Sequence, residues 1–133
     1  MIKPAIVAVG YNRPDSMKRL LSSVVQAQYP CDEIDLIISI DESNKSDEVQ
    51  AIAEQIQWQH GKKIIKRYPE RQGLRKHIIQ CGNLSETYGA VIILEDDLVV
   101  SPSFYHYTYA AVNHYAAEAR VAGVSLYSHG WNG

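Results

Sequence analysis

The stretch AVIILEDDLVV, residues 90–100, decides the fold. An apolar run of strand-forming residues leads directly into three carboxylates, Glu95, Asp96 and Asp97, and apolar residues follow them. Adjacent like charges repel, and apolar surroundings disfavour their ionised forms, so such a cluster needs a compensating function. In an open α/β sheet, ligands bind beyond the carboxyl ends of the strands, which is where the cluster falls. Carboxylate oxygens suit a hard divalent cation, manganese or magnesium, and Asp97, the outermost acid, is the first candidate ligand.

Apolar runs alternate with amphipathic stretches along the rest of the chain. Besides the strand that begins at Ala90, strands are predicted at residues 5–9, 35–40, 63–66 and 121–126. Helices are predicted between them: one from Pro14, one capped by Ser46, one from Gly73 with Leu74, Ile78 and Cys81 on the sheet side, and one capped by Ser101 with Pro102 in its first turn. This alternation predicts an α/β fold, a three-layer, open, mostly parallel sheet with flanking helices.

Composition limits the function classes. The 133 residues suit one domain, 1–133, and the formal net charge of -2 gives no general basic field for nucleic acid. The two cysteines form no CxxC motif, no signal peptide is recognisable and no apolar run is long enough to span a membrane, so a cytoplasmic protein is expected. One segment, residues 62–76, is basic, and either a solvated face or a phosphate-facing patch would explain it.

Three turns should meet the acidic cluster at one edge of the sheet. Tyr11, Asn12 and Arg13 follow the first strand, Asp41 follows the second, and Arg71 follows the third. Together they offer what a nucleotide diphosphate needs: an aromatic ring over a base, an acceptor for a base N–H and a cation for phosphate. Gly73, just before a helix N-terminus, lets the backbone approach closely.

Several other chemistries lack their motifs. The first strand is followed by no GxGxxG, and no GxxxxGK[ST] occurs, so dinucleotide and P-loop sites are not indicated. GxSxG and the zinc spacing HExxH are absent too.

Four segments in this order, AIVAVGYNRPDSMKRLLSSV, IISIDES, VIILEDDLVVSPSFYHY and GVSLYSHGWNG, resemble the donor half of a GT-A type nucleotide-sugar glycosyltransferase. Within that type the chain is most similar to N-acetylglucosaminyltransferase I and related bacterial enzymes. The resemblance implies a Rossmann-like nucleotide-sugar-binding fold, a nucleotide-sugar donor that is UDP-linked, and an acceptor that is a glycan, a lipid or a protein.

The resemblance also implies roles for individual residues. Asp97 matches the acid that binds manganese at the diphosphate, Glu95 the position facing the donor sugar, and Asp96 the position near the ribose. Asp41 and the turn at residues 11–13 match the pocket for the nucleotide base. Arg71 resembles an arginine near the base and phosphates. The catalytic base of such enzymes follows the fifth strand, so none is named, and a chain truncated at its C-terminus and inactive alone is expected.

Two other functions fit the same residues. A nucleotidyl- or phosphoryl-transferase could use the carboxylates for magnesium, although a second acidic position or a lysine for the α-phosphate is not evident. A non-catalytic α/β binding domain would have no metal affinity at the cluster.

Overall fold

A computed structural model describes residues 2–119 and 124–127, with side chains as far as residue 114. Its five strands are β1 (Ala5–Gly10), β2 (Leu36–Ile40), β3 (Lys63–Arg67), β4 (Ala90–Glu95) and β5 (Val124–Tyr127). The helices are α1 (Pro14–Gln26), α2 (Ser46–Gln55), α3 (Leu74–Gly82), α4 (Ser85–Tyr88) and α5 (Phe104–Ala119). The strands form one sheet in the order β3-β2-β1-β4-β5, and every pairing is parallel.

Strands β1, β2 and β4 are buried on both faces, which confirms the predicted three layers, whereas the edge strand β3 is half-buried or exposed. β1 lies at its centre, where Val7 pairs with Ile37 on β2 and with Ile93 on β4. Apolar residues of α1, α2 and α5 cover one face, including Leu20, Val49 and Phe104. The other face is covered by residues of α3 and α4. Since β1, β2 and β4 run the same way, their carboxyl ends share one edge, and that edge holds the candidate site.

Three local predictions are wrong. Ser46 is the first residue of α2 instead of its cap, because its hydroxyl donates to the Ser43 carbonyl oxygen (3.0 Å) and accepts from the Ser43 N–H (2.8 Å), which closes the preceding turn. α5 begins at Phe104, two residues after Pro102, because residues 102 and 103 form a turn. Leu74 is 61% exposed, since α3 turns other residues toward the sheet.

Two predictions lie partly or wholly outside the described residues. β5 begins at Val124, and residues 121–123 of the strand predicted at 121–126 are not described. The segment GVSLYSHGWNG, residues 123–133, which carries part of the resemblance, is described only over residues 124–127. In the part of the chain that is described, no helix has the length and apolarity needed to cross a bilayer.

Candidate nucleotide-binding site

One pocket of about 230 Å³ opens at the carboxyl edge of the sheet. Gly73 does not line it, but the other eight residues that the sequence indicated for the site do: Tyr11, Asn12, Arg13, Asp41, Arg71, Glu95, Asp96 and Asp97. They come from the ends of β1, β2 and β4 and from the loop between β3 and α3. The fold therefore brings these residues together, and their individual roles stay predictions.

Asp41 is the most buried acid of the pocket, with 3% of its surface exposed. Its Oδ1 accepts hydrogen bonds from the backbone N–H groups of Glu42 (2.9 Å) and Gln72 (2.7 Å). Its Oδ2 accepts one from the N–H of Gly73 (3.0 Å). We call these three bonds the Asp41 bridge. A carboxylate has about four acceptor positions, so the Asp41 bridge leaves about one of them for a ligand.

Arg71 and Tyr11 form the rim of the pocket beside Asp41. The guanidinium carbon of Arg71 lies 5.0 Å from the centroid of the Tyr11 ring, a cation–π arrangement. Tyr11 is also tied to the acidic cluster, because its backbone N–H donates to Oδ2 of Asp96 (3.3 Å). Tyr11 thus contacts the Arg71 cation through its ring and the acidic cluster through its backbone.

The three acids at the end of β4 differ in their surroundings. β4 ends at Glu95, and Asp96 and Asp97 lie in the turn that follows, so strand alternation does not set their directions. Glu95 and Asp96 are half-buried and Asp97 is exposed. Burial is the largest influence on the Asp96 carboxyl and raises its pKa, whereas the Tyr11 N–H and the charge of Arg13 act in the opposite direction.

These acids fit one way of holding a metal ion. Among the described residues, no three His, Cys, Asp or Glu side chains are grouped so that they alone could hold one. Magnesium in phosphate chemistry is normally held by one or two carboxylates together with the phosphates themselves. An exposed Asp97 at the pocket mouth suits that arrangement, in which a diphosphate supplies the remaining ligands.

His77 is a pocket residue that the sequence analysis did not identify. It lies on α3 and is buried, with its Nε2 2.7 Å from Oγ of Ser39 and its ring packed edge-on against Tyr68 at 5.3 Å. Burial lowers the pKa of its imidazole, and the negative charge of Asp41 only partly offsets this. The apolar pattern of this segment favoured Leu74, Ile78 and Cys81 as the residues that face the sheet. His77 and Cys81 are four residues apart and so lie on one helix face equally well.

Three of the seven basic side chains at residues 62–76 make contacts within the fold. Nζ of Lys63 donates to three carbonyl oxygens at the end of α2, 2.8–3.0 Å away. Arg67 donates to Asp47 (2.7 Å) and Gln50 (2.9 Å), and Lys66 lies over the Tyr68 ring. Of the basic side chains of this segment, Arg71 alone lines the pocket in the described structure. The interpretation of this segment as a phosphate-facing patch is therefore left with Arg71 alone among the described residues.

A family model described as "Glycosyl transferase family 2" matches residues 5–133. The chain belongs to glycosyl transferase family 2. This membership favours the glycosyltransferase hypothesis over phosphoryl transfer and over a non-catalytic binding domain, and it agrees with the GT-A resemblance. No curated protein sequence matches this family 2 domain.

Solved structures support the fold. The crystal structure of S. aureus TarS residues 1–349 superposes with a TM-score of 0.64 at 15% identity, over 84% of this chain and 33% of that one. A second crystal structure of S. aureus TarS gives a TM-score of 0.63 at 14% identity, over 84% of this chain and 20% of that one. The family 2 domain thus shares the α/β architecture of these chains and spans a third or less of their length.

Proposed function

We propose that this family 2 domain binds a UDP-linked sugar together with manganese or magnesium, and forms the donor side of a hexosyl- or N-acetylhexosaminyltransferase. The acceptor would be a glycan, a lipid or a protein. The observation that carries the proposal is the single pocket where a buried anchored carboxylate, a cation over an aromatic ring and an acidic cluster meet at the strand ends.

Asp41 supports uridine as the base. Its carboxylate has about one acceptor position left after the Asp41 bridge, and uracil offers one N–H donor on its pairing edge. Guanine presents two donors side by side there, and one of them would stay unpaired in a buried place, which costs about 1–3 kcal/mol. Tyr11 would offer its ring to the base beside the Arg71 guanidinium that lies over it, and Asn12 and Arg13 line the same pocket.

Charges at the two sides of the pocket support a bound diphosphate. Arg71 supplies a fixed positive charge that can donate to phosphate oxygens. Asp97 is the residue that would hold the metal ion, which when bound neutralises charge on the departing diphosphate. By the GT-A resemblance, Asp96, which accepts the Tyr11 N–H, would lie near the ribose, and Glu95, the last residue of β4, would face the donor sugar.

Calorimetric titration of UDP, ADP and GDP, each with and without manganese, tests this function. We expect UDP to bind at least about tenfold more tightly than the other two. Guanine would add a second donor, and the donor of adenine is an exocyclic amine beside a ring acceptor, whereas that of uracil is a ring N–H between two carbonyls. Asp97→Asn should keep the fold and abolish the gain in UDP affinity from manganese. Asp47→Asn, the same change at an exposed carboxylate of α2, is the control and should keep that gain.

Two results would contradict the proposal. Equal affinity of the unmutated domain for all three nucleotides would reject the assignment of the base pocket. An unchanged manganese effect in Asp97→Asn would reject Asp97 as the metal ligand.

A further inference from the structure

The Asp41 bridge joins two parts of the chain that are 31 residues apart in sequence. Asp41 follows β2, whereas Gln72 and Gly73 form the end of the loop between β3 and α3. Hydrogen bonds from N–H groups to an ionised carboxylate are about twice as strong as neutral ones, and these measure 2.7 and 3.0 Å. The carboxylate therefore fixes the last two residues of that loop.

Gly73 makes this arrangement possible. Its φ of +84° lies in a region that glycine alone occupies readily, and its N–H meets Oδ2 of Asp41 in that conformation. Gln72 and Gly73 are consecutive donors to the two oxygens of one carboxylate, so the loop is held at two points.

Arg71 is the residue directly before these two donors. Its side chain is exposed and reaches the pocket, where its guanidinium lies over the Tyr11 ring. An exposed arginine on a free loop would lose about 2 kcal/mol of side-chain entropy when it is ordered on a ligand. Fixing its backbone and resting its guanidinium on an aromatic ring reduces that cost before the ligand arrives.

We propose that Asp41 is a positioning residue for Arg71: through the Asp41 bridge it places the guanidinium where the diphosphate of the donor binds. This inference rests on the proposed function, because it assumes that a diphosphate binds in the pocket. It gives Asp41 a second effect on the ligand, exerted through Arg71, besides any direct contact with the base. It predicts that loss of the bridge weakens binding of the phosphate-bearing part of the nucleotide more than binding of the nucleoside.

The variant that tests this is Asp41→Asn. The asparagine oxygen can still accept from Glu42 and Gln72, whereas its NH₂ group faces the N–H of Gly73 and cannot accept from it. Removing a negative charge beside the diphosphate would by itself raise UDP affinity, so a fall in affinity cannot be a general charge effect. Asp47→Asn serves as the matched control.

A double-mutant cycle with Arg71→Ala separates the two effects of Asp41. We expect Asp41→Asn to weaken UDP about tenfold and uridine by clearly less, in calorimetric or NMR titrations with manganese present. In the Arg71→Ala background the excess loss for UDP over uridine should fall below about twofold. Equal losses for UDP and uridine, or an excess that persists without Arg71, overturn the proposal.

Amide hydrogen exchange tests the bridge without any ligand. In the unmutated domain the Gln72 and Gly73 amides should exchange at least about tenfold more slowly than in an unstructured peptide. Asp41→Asn should accelerate the exchange at Gly73, and Asp47→Asn should not. Unprotected amides in the unmutated domain would reject the bridge, whereas protected amides in a domain that fails to bind UDP would reject only the proposed function.

Discussion

Carboxylates follow both β2 and β4 within two residues of the strand end and at the same edge of the sheet, yet their surroundings differ. Asp41 after β2 is buried and accepts three backbone N–H groups. Asp97 after β4 is exposed, and its carboxylate accepts no hydrogen bond from the residues that the structure describes. The nearby backbone, more than the strand context, therefore decides whether an acid stabilises the fold or is left for a cation.

The largest expected difference between the two ends is in stability. Asp41→Ala leaves three backbone N–H groups without their acceptor, and we expect the free energy of unfolding to fall by about 3 kcal/mol. Asp97→Ala removes an exposed charge that repels its neighbours and should change that free energy by no more than about 0.5 kcal/mol. Urea denaturation of both variants measures the contrast.

Similar losses in the two alanine variants would break the comparison, because they would mean that both acids support the fold. Asp41→Asn, which keeps one acceptor oxygen, should lie between Asp41→Ala and the unmutated domain.

A smaller effect is expected at the two glycines that have a positive φ among the described residues. Gly73 (φ +84°) lies in the Asp41 bridge, and Gly89 (φ +81°) lies before β4, outside the pocket lining. Alanine at either position is strained by about 2 kcal/mol, and at Gly73 no atom lies within 4 Å of the added carbon, so there the cost is conformational alone.

Only Gly73→Ala should also weaken UDP binding, because only it moves a donor of the Asp41 bridge. Gly89→Ala is the control for strain without a change in the site, and calorimetry at a temperature where both variants are folded compares them. If Gly89→Ala weakened UDP as much, the loss would reflect general instability instead of the bridge.

The fold was predictable because each buried strand is apolar on both faces and α1 and α2 carry an apolar stripe, whereas the single turn of α4 has none and was not predicted. The patterns at residues 5–9 and 90–94 gave β1 and β4 within one residue. Details at helix starts were not predictable, since a serine such as Ser46 can cap a helix or close the preceding turn, and only tertiary contacts select between them.

The location of the site was predictable, because parallel strands end at one edge, and all the residues indicated there except Gly73 line the pocket. The hydrogen bonds from the Gln72 and Gly73 N–H groups to the Asp41 carboxylate were not predictable, since they depend on the position of a loop 31 residues later in the chain. His77 was missed because a polar residue is excluded by any search for apolar periodicity, although its burial beside Ser39 is satisfied by a hydrogen bond.

The smallest predicted effect is the loss of stability at acidic pH that arises at the end of β2, where His77 lies near Asp41. Burial lowers the pKa of folded His77 below its usual 6.5, so the unfolded chain binds a proton more readily than the folded one. Stability from this group is complete above about pH 6.5 and is lost as the pH falls toward the lower pKa of the folded state. One proton gives a slope of at most about 1.4 kcal/mol per pH unit.

Urea denaturation between pH 7.5 and about 5 should show this slope. His77→Gln should reduce it, whereas His106→Gln, at an exposed histidine of α5, should not. If His77→Gln kept the full slope, the acid sensitivity would arise elsewhere, and the β2 end would owe its stability to the Asp41 bridge without a contribution from a neutral His77.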